Sequence, residues 1–535
     1  MMLKPRKADI FPNILGELLF DSYQDEFKST YEVYWGIDCD LNIYSQDISY
    51  ISSKIKTEYV SKIERTPYCL RIWFDRRQVE EFVIENFENI SRPVNEFRNK
   101  RILIEHTSIN PVHQLHIGAV RGSFLGEQLK RIFSANGSEV KTHFYVNDLG
   151  KQVKTLHYIL SKISLETFRF SYTIDELIGV IYAMGNLLMS GRKSRFEELS
   201  LKYPDISELF TKTNLSKSEL EQYHKGDKYS ELDKAILDAL NEDLKSINIS
   251  LDHFDFESEY GKADLESIYE LNRWIPFQII NGCVCIKYKD TIIPLIRSDG
   301  TTLYFMRDIS YARKRMRNYD LSINVVGNDQ EILQAALSDL LTFLGEKPLL
   351  RVNFGLIRDK NLRYSARQGK LLTTKMIREK YGDEGITNLK LNLCGIRAVK
   401  SIVLSDEHFS GARNKFFNKV YESCNNFLKN YNHSDEEANV NANLNEEEVW
   451  LFFKLVMRYS EIITRSMSRL ELHNLVHYAV YLTSCYSKII HRSNSNKTIL
   501  YHVSRLYKQI ITELLTYLGV EEICELKSKN EVYVT

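Results

Sequence analysis

The sequence predicts an α/β protein: a doubly wound parallel sheet carrying a mostly helical insertion, with a small α/β domain ahead of it and an all-α helical bundle behind it. Three observations predict this. Short β-branched runs alternate with helical patterns at 102–146 and again at 324–357. Between those stretches, about 154–260 is charged and helical in period, as in KSELEQYHKGDKYSELDKAILDALNEDL. Beyond about 386 the strand signals fade, and two long apolar stripes of helical spacing take over.

Residues 1–97 mix short apolar runs, such as RIWF at 71–74, with polar stretches, and the basic cluster Arg98, Lys100 and Arg101 follows. This is the small N-terminal α/β domain. The central domain, 98–385, opens on ILIEHTS at 102–108, which has the β-branched character of a buried strand. A turn at Asn110 and Pro111 leads to a helix over about 117–135, and VKTHFYV at 140–146 is a second strand. INVVG at 323–327 precedes an amphipathic run ending near 344, and RVNFGLI at 351–357 is a further strand. In the C-terminal domain, 386–535, the polar acidic HSDEEANVNANLNEEE at 433–448 reads as an exposed connection between helices. Leu475, Tyr478, Ala479, Leu482, Cys485, Tyr486 and Ile489 fit one helical stripe, and Ile499, Val503, Leu506, Ile510, Leu514 and Tyr517 fit another. Their aromatics are most economically core residues. The tail after Val520 mixes Lys and Glu without a motif.

Composition narrows the function classes. The 535 residues are 43% hydrophobic and 27% charged, which supplies several buried cores and excludes wholesale disorder. With 71 basic against 71 acidic residues, bulk charge names no polyanion partner, so any nucleic-acid surface has to come from local segregation. The opening MMLKPRKADIF lacks the apolar stretch of about 7–15 residues that marks an export signal, and no window reads as a membrane span, so the chain is expected in the cytoplasm and off the membrane. Eight scattered cysteines lack metal-ligand spacing; Cys283 and Cys285 read as strand residues, and no protein-bound metal is expected.

The most informative stretch is EHTSINPVHQLHIGAVRGSFLG at 105–126. It sets an acid, an amide, histidines and a glycine along a strand, a turn and a helix start. A helix N-terminus offers N–H groups and a positive dipole end to phosphate, Gly118 permits close backbone approach, and His116 can donate to phosphate oxygens. Taken alone, a His-x-Gly before a helix marks packing more often than catalysis. A second local feature is charge: 351–380 holds nine basic residues (351, 358, 360, 363, 367, 370, 375, 378, 380) against two acidic ones (359, 379). That excess suits a nearby polyanion, either a triphosphate or an RNA stem, with a solvated face as the plainer alternative.

These residues resemble a known family. HQLHIGAV is similar to the His-Ile-Gly-His signature of class I aminoacyl-tRNA synthetases, whose catalytic domain is Rossmann-like, and the preceding Glu-x-x-Ser-x-Asn-Pro resembles the arginyl-tRNA synthetase branch. Four further blocks agree in order: FYVNDLGKQV at 144–153, SDGTTLYFMRDISYARKR at 298–315, VVGNDQEILQAAL at 325–337, and LRYSARQGK at 362–370 in the place of a Lys-Met-Ser-type loop. The resemblance is strongest over 101–153 and 295–372. The helix around 475–489 resembles the family's anticodon-binding bundle, and 1–97 its tRNA-contacting N-terminal domain.

The resemblance implies ATP-dependent attachment of L-arginine to tRNA(Arg) through an arginyl-adenylate, with arginine activation awaiting tRNA. It assigns Glu105, Ser108, Asn110, Tyr304, Asp308 and Gln330 to the arginine pocket. Their chemistry suits the task, since a guanidinium carries five donors in a rigid fork and needs carboxylates and neutral acceptors around a plane. Without the resemblance, Asp308 capping a helix and Glu105 pairing with Arg121 explain the same residues. His116, Gly118, Gly327, Asp329 and Ser365 are assigned to ATP, and His116, Gly118, His113, Arg363, Ser365, Arg367 and Lys370 to catalysis. Mg²⁺ is expected to travel with ATP as part of the substrate. The expected oligomeric state is a monomer.

Two departures stand out. Ala119 replaces the second signature histidine, removing a donor of a kind worth about 3 kcal/mol at a transferring phosphoryl group, although His113 lies three residues before His116. In the second loop the family's two lysines become Arg363 and either Gln368 or Ala366, with Lys370 close by. A catalytically weakened or silent paralogue that binds tRNA or regulates is therefore the alternative reading.

Overall fold

The computed structural model describes residues 7–8, 18–20, 31–36, 39–93, 96–164, 171–211, 213–223, 230–260, 271–273, 275–300, 302–359, 366–369, 371–432, 446–491 and 497–525. The chain divides into two compact units: one comprises 1–98, 131–136 and 411–535, the other 99–130 and 137–410.

In the first unit, the strands Lys7–Ala8, Tyr31–Trp35, Leu41–Ser45, Cys69–Phe74 and Val60–Arg65 form an antiparallel sheet in that order. The helices Ile48–Lys54 and Arg76–Ile90 accompany it. The same unit contains the helices Ala412–Asn430, Glu446–Met457, Tyr459–Ser468, His473–His491 and Lys497–Leu518. Buried Asp40 joins sheet to bundle: one carboxylate oxygen accepts from the Phe74 backbone N–H at 2.9 Å, the other from the Trp450 indole N–H at 2.9 Å. A carboxylate taken from water needs such donors, and here they come from both sub-structures at once. Every residue of the 475–489 stripe is buried, as is the second stripe apart from half-buried Ile499. Most of the acidic 433–448 segment lies outside the described residues.

The second unit is built on a five-stranded parallel sheet. Its strands are β1 (Arg101–Glu105), β2 (Glu139–Val146), β3 (His253–Phe256), β4 (Leu321–Gly327) and β5 (Leu349–Phe354), in the order β5-β4-β1-β2-β3. Helices α1 (Ile117–Ala135) and α2 (Lys151–Leu160) follow β1 and β2, and α3 (Ile174–Met189), α4 (Lys193–Lys202) and α5 (Ser230–Ser246) lie between α2 and β3. Thus the stretch read as a helical insertion returns to the sheet through a four-residue edge strand, HFDF. α6 (Tyr304–Met316) precedes β4, α7 (Glu331–Phe343) links β4 to β5, and α8 (Thr374–Cys394), broken at Gly382, follows the basic loop.

The RVNFGLI segment is not one strand. It stops at Phe354 and resumes as Ile357–Asp359 beside Ile402–Leu404. Gly355 sits so tightly against the Lys400–Ser401 backbone that a Cβ would lie 2.4 Å from it. Cys283 and Cys285 fall on the strand Cys283–Tyr288 of a small antiparallel sheet. The buried face of that sheet, with Ile286, Ile293 and Leu295, packs with Phe305, Met306 and Ile309 of α6 and Leu337 and Leu340 of α7. Fixing α6 on its apolar side turns its other side inward.

The sheet order reverses between β1 and β4. In open α/β sheets the crevice beyond the carboxyl ends of the strands at that reversal is where ligands bind. Glu105 ends β1 and Gly327 ends β4.

Candidate active site

Beyond β1 the chain folds back on itself. Thr107 adopts φ 64°, a conformation costly for a β-branched residue, and its hydroxyl donates to Ser123 of α1 at 2.6 Å. The buried His106 ring lies where a Cβ at Gly126 would sit, 2.3 Å from it, so only glycine lets α1 approach this turn. Burial pushes the His106 imidazole down to about 3, keeping it neutral.

The signature histidines form a pair, with ring centroids 4.9 Å apart. The Gly118 N–H donates to His116 Nδ1 at 3.1 Å, which leaves the His116 proton on Nε2. His113 Nδ1 faces the Gln114 carbonyl at 3.0 Å and must donate to it. Burial, reinforced by His113, lowers the His116 pKa to about 3, and burial also lowers His113. His116 therefore presents a neutral N–H donor rather than a cation.

The first N–H groups of α1 are all occupied. Ile117 donates to the Leu372 carbonyl at 2.9 Å, Gly118 to His116, and Ala119 and Val120 to the His116 carbonyl. What this end offers a phosphate is its dipole and the His116 Nε2–H. The Leu115–Ile117 segment is also stitched to 372–374, where His116 bridges Thr373 and the Thr374 N–H reaches the Leu115 carbonyl. The two signature regions are thus joined through the main chain. Arg121, one turn into α1, is buried and spends its guanidinium on the carbonyls of Gly355 (2.7 Å), Lys400 (2.7 Å) and Arg397 (3.0 Å), not on Glu105. Burial brings its pKa down to about 10.

Glu105 instead forms an ion pair with Arg315 of α6. Arg315 also donates to Asn324 Oδ1 at 2.6 Å and to the Tyr311 hydroxyl at 3.0 Å. Burial opposes the charge of Arg315, but Glu105 and Tyr311 outweigh it and raise its pKa overall. Tyr311 donates in turn to Asp255 of β3 (2.9 Å), which also receives His143 Nδ1 (2.6 Å), and stacks on Tyr145 with centroids 4.3 Å apart. On the same side of α6, Arg307 pairs with buried Glu257 at 2.6 Å.

Asp308 stands among these groups with no hydrogen bond or ion pair to any described residue. Burial, then repulsion from Glu105 and Glu257, raises its pKa to about 8, against the pull of Arg307 and Arg315. Tyr304 opens α6 and is 50% exposed. Ser108 donates to the Tyr145 carbonyl at 3.0 Å, and Asn110 is half-buried. Gln330 is exposed and donates to Asp329 at 3.2 Å in the turn after Gly327. The structure therefore brings Glu105 and Asp308 into one electrostatic cluster and leaves Tyr304, Asp329 and Gln330 facing solvent.

Arg363, Ser365 and Lys370 lie outside the described residues. Arg367 is exposed and faces the hydroxyl of Tyr182. Part of the basic excess is balanced from outside its window: Lys375 pairs with Glu176 (2.9 Å), Arg378 with Asp383 (2.6 Å) and Lys380 with Asp406 (3.5 Å). Among the described residues no group of His, Cys, Asp and Glu could hold a metal ion, and no helix is long and apolar enough to cross a membrane.

Sequence reading missed Arg315, Tyr311, Asn324 and Glu257. A signal existed for two of them: Tyr304, Asp308, Tyr311 and Arg315 recur at helical spacing along one face of α6.

Comparison with known proteins bears on the fold and the family. Residues 85–389 match the family model described as tRNA synthetases class I (R), catalytic domain, and 418–526 match the DALR anticodon binding domain. The arginine–tRNA ligase of Saccharolobus solfataricus is 30% identical over 390 residues, covering 61% of this chain and 62% of the relative. That of Archaeoglobus fulgidus is 29% identical over 348 residues, covering 62% and 58%. The chain thus spans about three fifths of the length of these curated relatives. Thermus thermophilus arginyl-tRNA synthetase has the same fold, with a TM-score of 0.69 at 15% identity over 96% of this chain and 98% of that one.

Proposed function

Since this chain belongs to the class I (R) tRNA synthetase family, we propose that it activates L-arginine with ATP and transfers it to the 3′ end of tRNA(Arg). The observation that carries the reading is Asp308: a carboxylate set in a polar cluster with no hydrogen bond or ion pair to a described residue, one helical turn from Tyr304. Half-buried as it is, this carboxylate gives up water without gaining a protein partner, which favours its protonated form or a bound cation. A ligand guanidinium would supply the missing partner.

Glu105 plays a different part from the one its motif position suggests. Its charge is already engaged by Arg315, so it shapes the wall and, by repulsion, keeps Asp308 receptive to a cation. In the activation step the arginine carboxylate attacks the α-phosphorus of ATP in line and pyrophosphate leaves, so the protein has to position groups and stabilise charge rather than supply a nucleophile. His116 would give a neutral hydrogen bond to the nucleotide phosphates, the α1 dipole would add to it, and Arg367 with the rest of its loop would meet the leaving pyrophosphate. With Ala119 in place of a second histidine, the cradle has one fewer donor, and the neutral His113–His116 pair is what remains. ATP enters with Mg²⁺, the chain acts as a monomer, and the cytoplasm is its compartment because its tRNA partner works there.

Exchange of radiolabelled pyrophosphate into ATP tests this directly. The chain should exchange when arginine and tRNA(Arg) are both present. Intact tRNA binding without exchange would sink the ligase reading and leave a silent tRNA-binding paralogue.

A further inference from the structure

The insertion helices carry no motif, yet they hold one end of the basic loop. Arg195 of α4 donates from Nε to the Gln368 carbonyl at 3.1 Å and from Nη2 to the Gly369 carbonyl at 3.2 Å. Its remaining terminal nitrogen pairs with Glu198, one turn along the same helix. Gly369 has φ 61°, and a Cβ there would lie 2.9 Å from Leu199 of α4 and 3.4 Å from Ala183 of α3. The 366–368 turn lies against α3, where Arg367 faces the buried Tyr182 hydroxyl. Lys375, just beyond, is tied back to Glu176 of α3. A cavity of about 670 Å³ runs beside this contact, with Arg195, Gly369 and Thr373 on its wall and His113 at its edge.

Two successive carbonyls gripped by one guanidinium define a position. A planar fork with several fixed donors can bridge them, whereas a lysine ammonium is a point charge on a flexible stem. The grip comes from an element outside the parallel sheet, and it acts on main chain, so it constrains the adjoining Arg367 side chain without touching it. We infer that Arg195 is a positioning residue for the activation step: from the insertion it fixes the main chain of 368–369 and thereby aims Arg367. This role rests on the proposed reading in which the basic loop meets the phosphates of ATP.

Pyrophosphate exchange by the full chain, with arginine and tRNA(Arg) present, separates the possibilities. Arg195→Ala should lower kcat at least about tenfold, the scale of a lost charge-assisted hydrogen bond at a positioned group, while the KM for arginine and the melting temperature stay put. Arg195→Lys should recover part of the loss. Combined with Arg367→Ala, Arg195→Ala should cost nothing further, because both changes act through one side chain. Gly369→Ala attacks the same contact from the other side and should reproduce the kcat loss. Full kcat in Arg195→Ala, additivity with Arg367→Ala, or a parallel change in the KM for arginine would overturn the role while the ligase reading stands. A wild-type chain without exchange would sink both.

Discussion

The cradle at the start of α1 and the corner beneath α6 lie at the same end of the sheet, yet they differ in polar satisfaction. In the cradle most groups have partners within the chain: His116 is locked by its own Gly118 N–H, the first N–H groups of α1 are taken, and Arg121 gives its two terminal nitrogens to three carbonyls, while Arg121 Nε and His106 Nε2 go without a hydrogen bond. In the corner, Arg315 and Arg307 have carboxylates, and one further carboxylate, Asp308, has no described partner. Asp308 is half-buried, and a carboxylate drawn part-way out of water without a protein partner is where a cationic ligand would gain most. The cradle presents one donor, the His116 Nε2–H. The corner is an incomplete ion-pair cluster.

The largest effect should come from the incomplete side. Asp308→Ala removes the proposed partner of the arginine guanidinium, and it should lower kcat/KM for arginine on the order of 100- to 1000-fold, the penalty for losing a charge-assisted contact. The KM for ATP should change little. Steady-state exchange with each substrate varied in turn checks this, and an equal collapse in ATP use would erase the distinction between corner and cradle.

The converse change belongs to the satisfied side. Arg121→Met keeps length and apolar bulk but strands the carbonyls of Gly355, Arg397 and Lys400. It should destabilise the second unit by about 2–4 kcal/mol, the range for orphaning several buried acceptors. Denaturant unfolding followed by hydrogen exchange in 101–130 and 355–400 reads the loss. A neutral result would mean that water reaches these carbonyls and that the cradle is less closed than its hydrogen bonds imply.

How much of this was legible in the sequence follows from how local each cause is. α1, the second strand and the C-terminal stripes are set by their own apolar periods, and they appear close to where the periods end. The edge strand HFDF is four residues long and only partly buried, so no apolar run announces it; its pairing with β2 is a tertiary event. The break at Gly355 depends on backbone from 400–401, some 45 residues on, which no local window contains. Glu105 and Asp308 could be named as carboxylates suited to a guanidinium, but not the division of labour between them. That division is set by Arg315, 210 residues from Glu105 in sequence and two helical turns from Asp308. Gln330 and Asp329 were recognisable by motif position, and their mutual hydrogen bond in an exposed turn was not.

The smallest of these effects is a pH dependence that distinguishes the two regions without mutation. His106 and His116 are pushed down to about 3 by burial and stay neutral from pH 6 to 8, and burial lowers His113 as well. Asp308, raised to about 8 by burial and by Glu105 and Glu257, with Arg307 and Arg315 pulling the other way, is mostly protonated at pH 7 in the free protein. A guanidinium stays cationic throughout and favours the ionised carboxylate, so binding draws the Asp308 pKa down and releases a proton. The sign follows: arginine affinity should rise with pH, by at most about tenfold per unit, from pH 6 until it levels near 8. For the folded chain alone the same shift runs the other way, since a carboxyl with a raised pKa binds more protons folded than unfolded, and its contribution to stability falls as pH rises from about 4 to 8. Calorimetric titration with arginine at pH 6, 7 and 8 measures the affinity slope, with ATP titrated alongside as the cradle's control. Equal slopes for both ligands, or none for arginine, would show that Asp308 already has a partner and that the two regions are alike in the respect that matters.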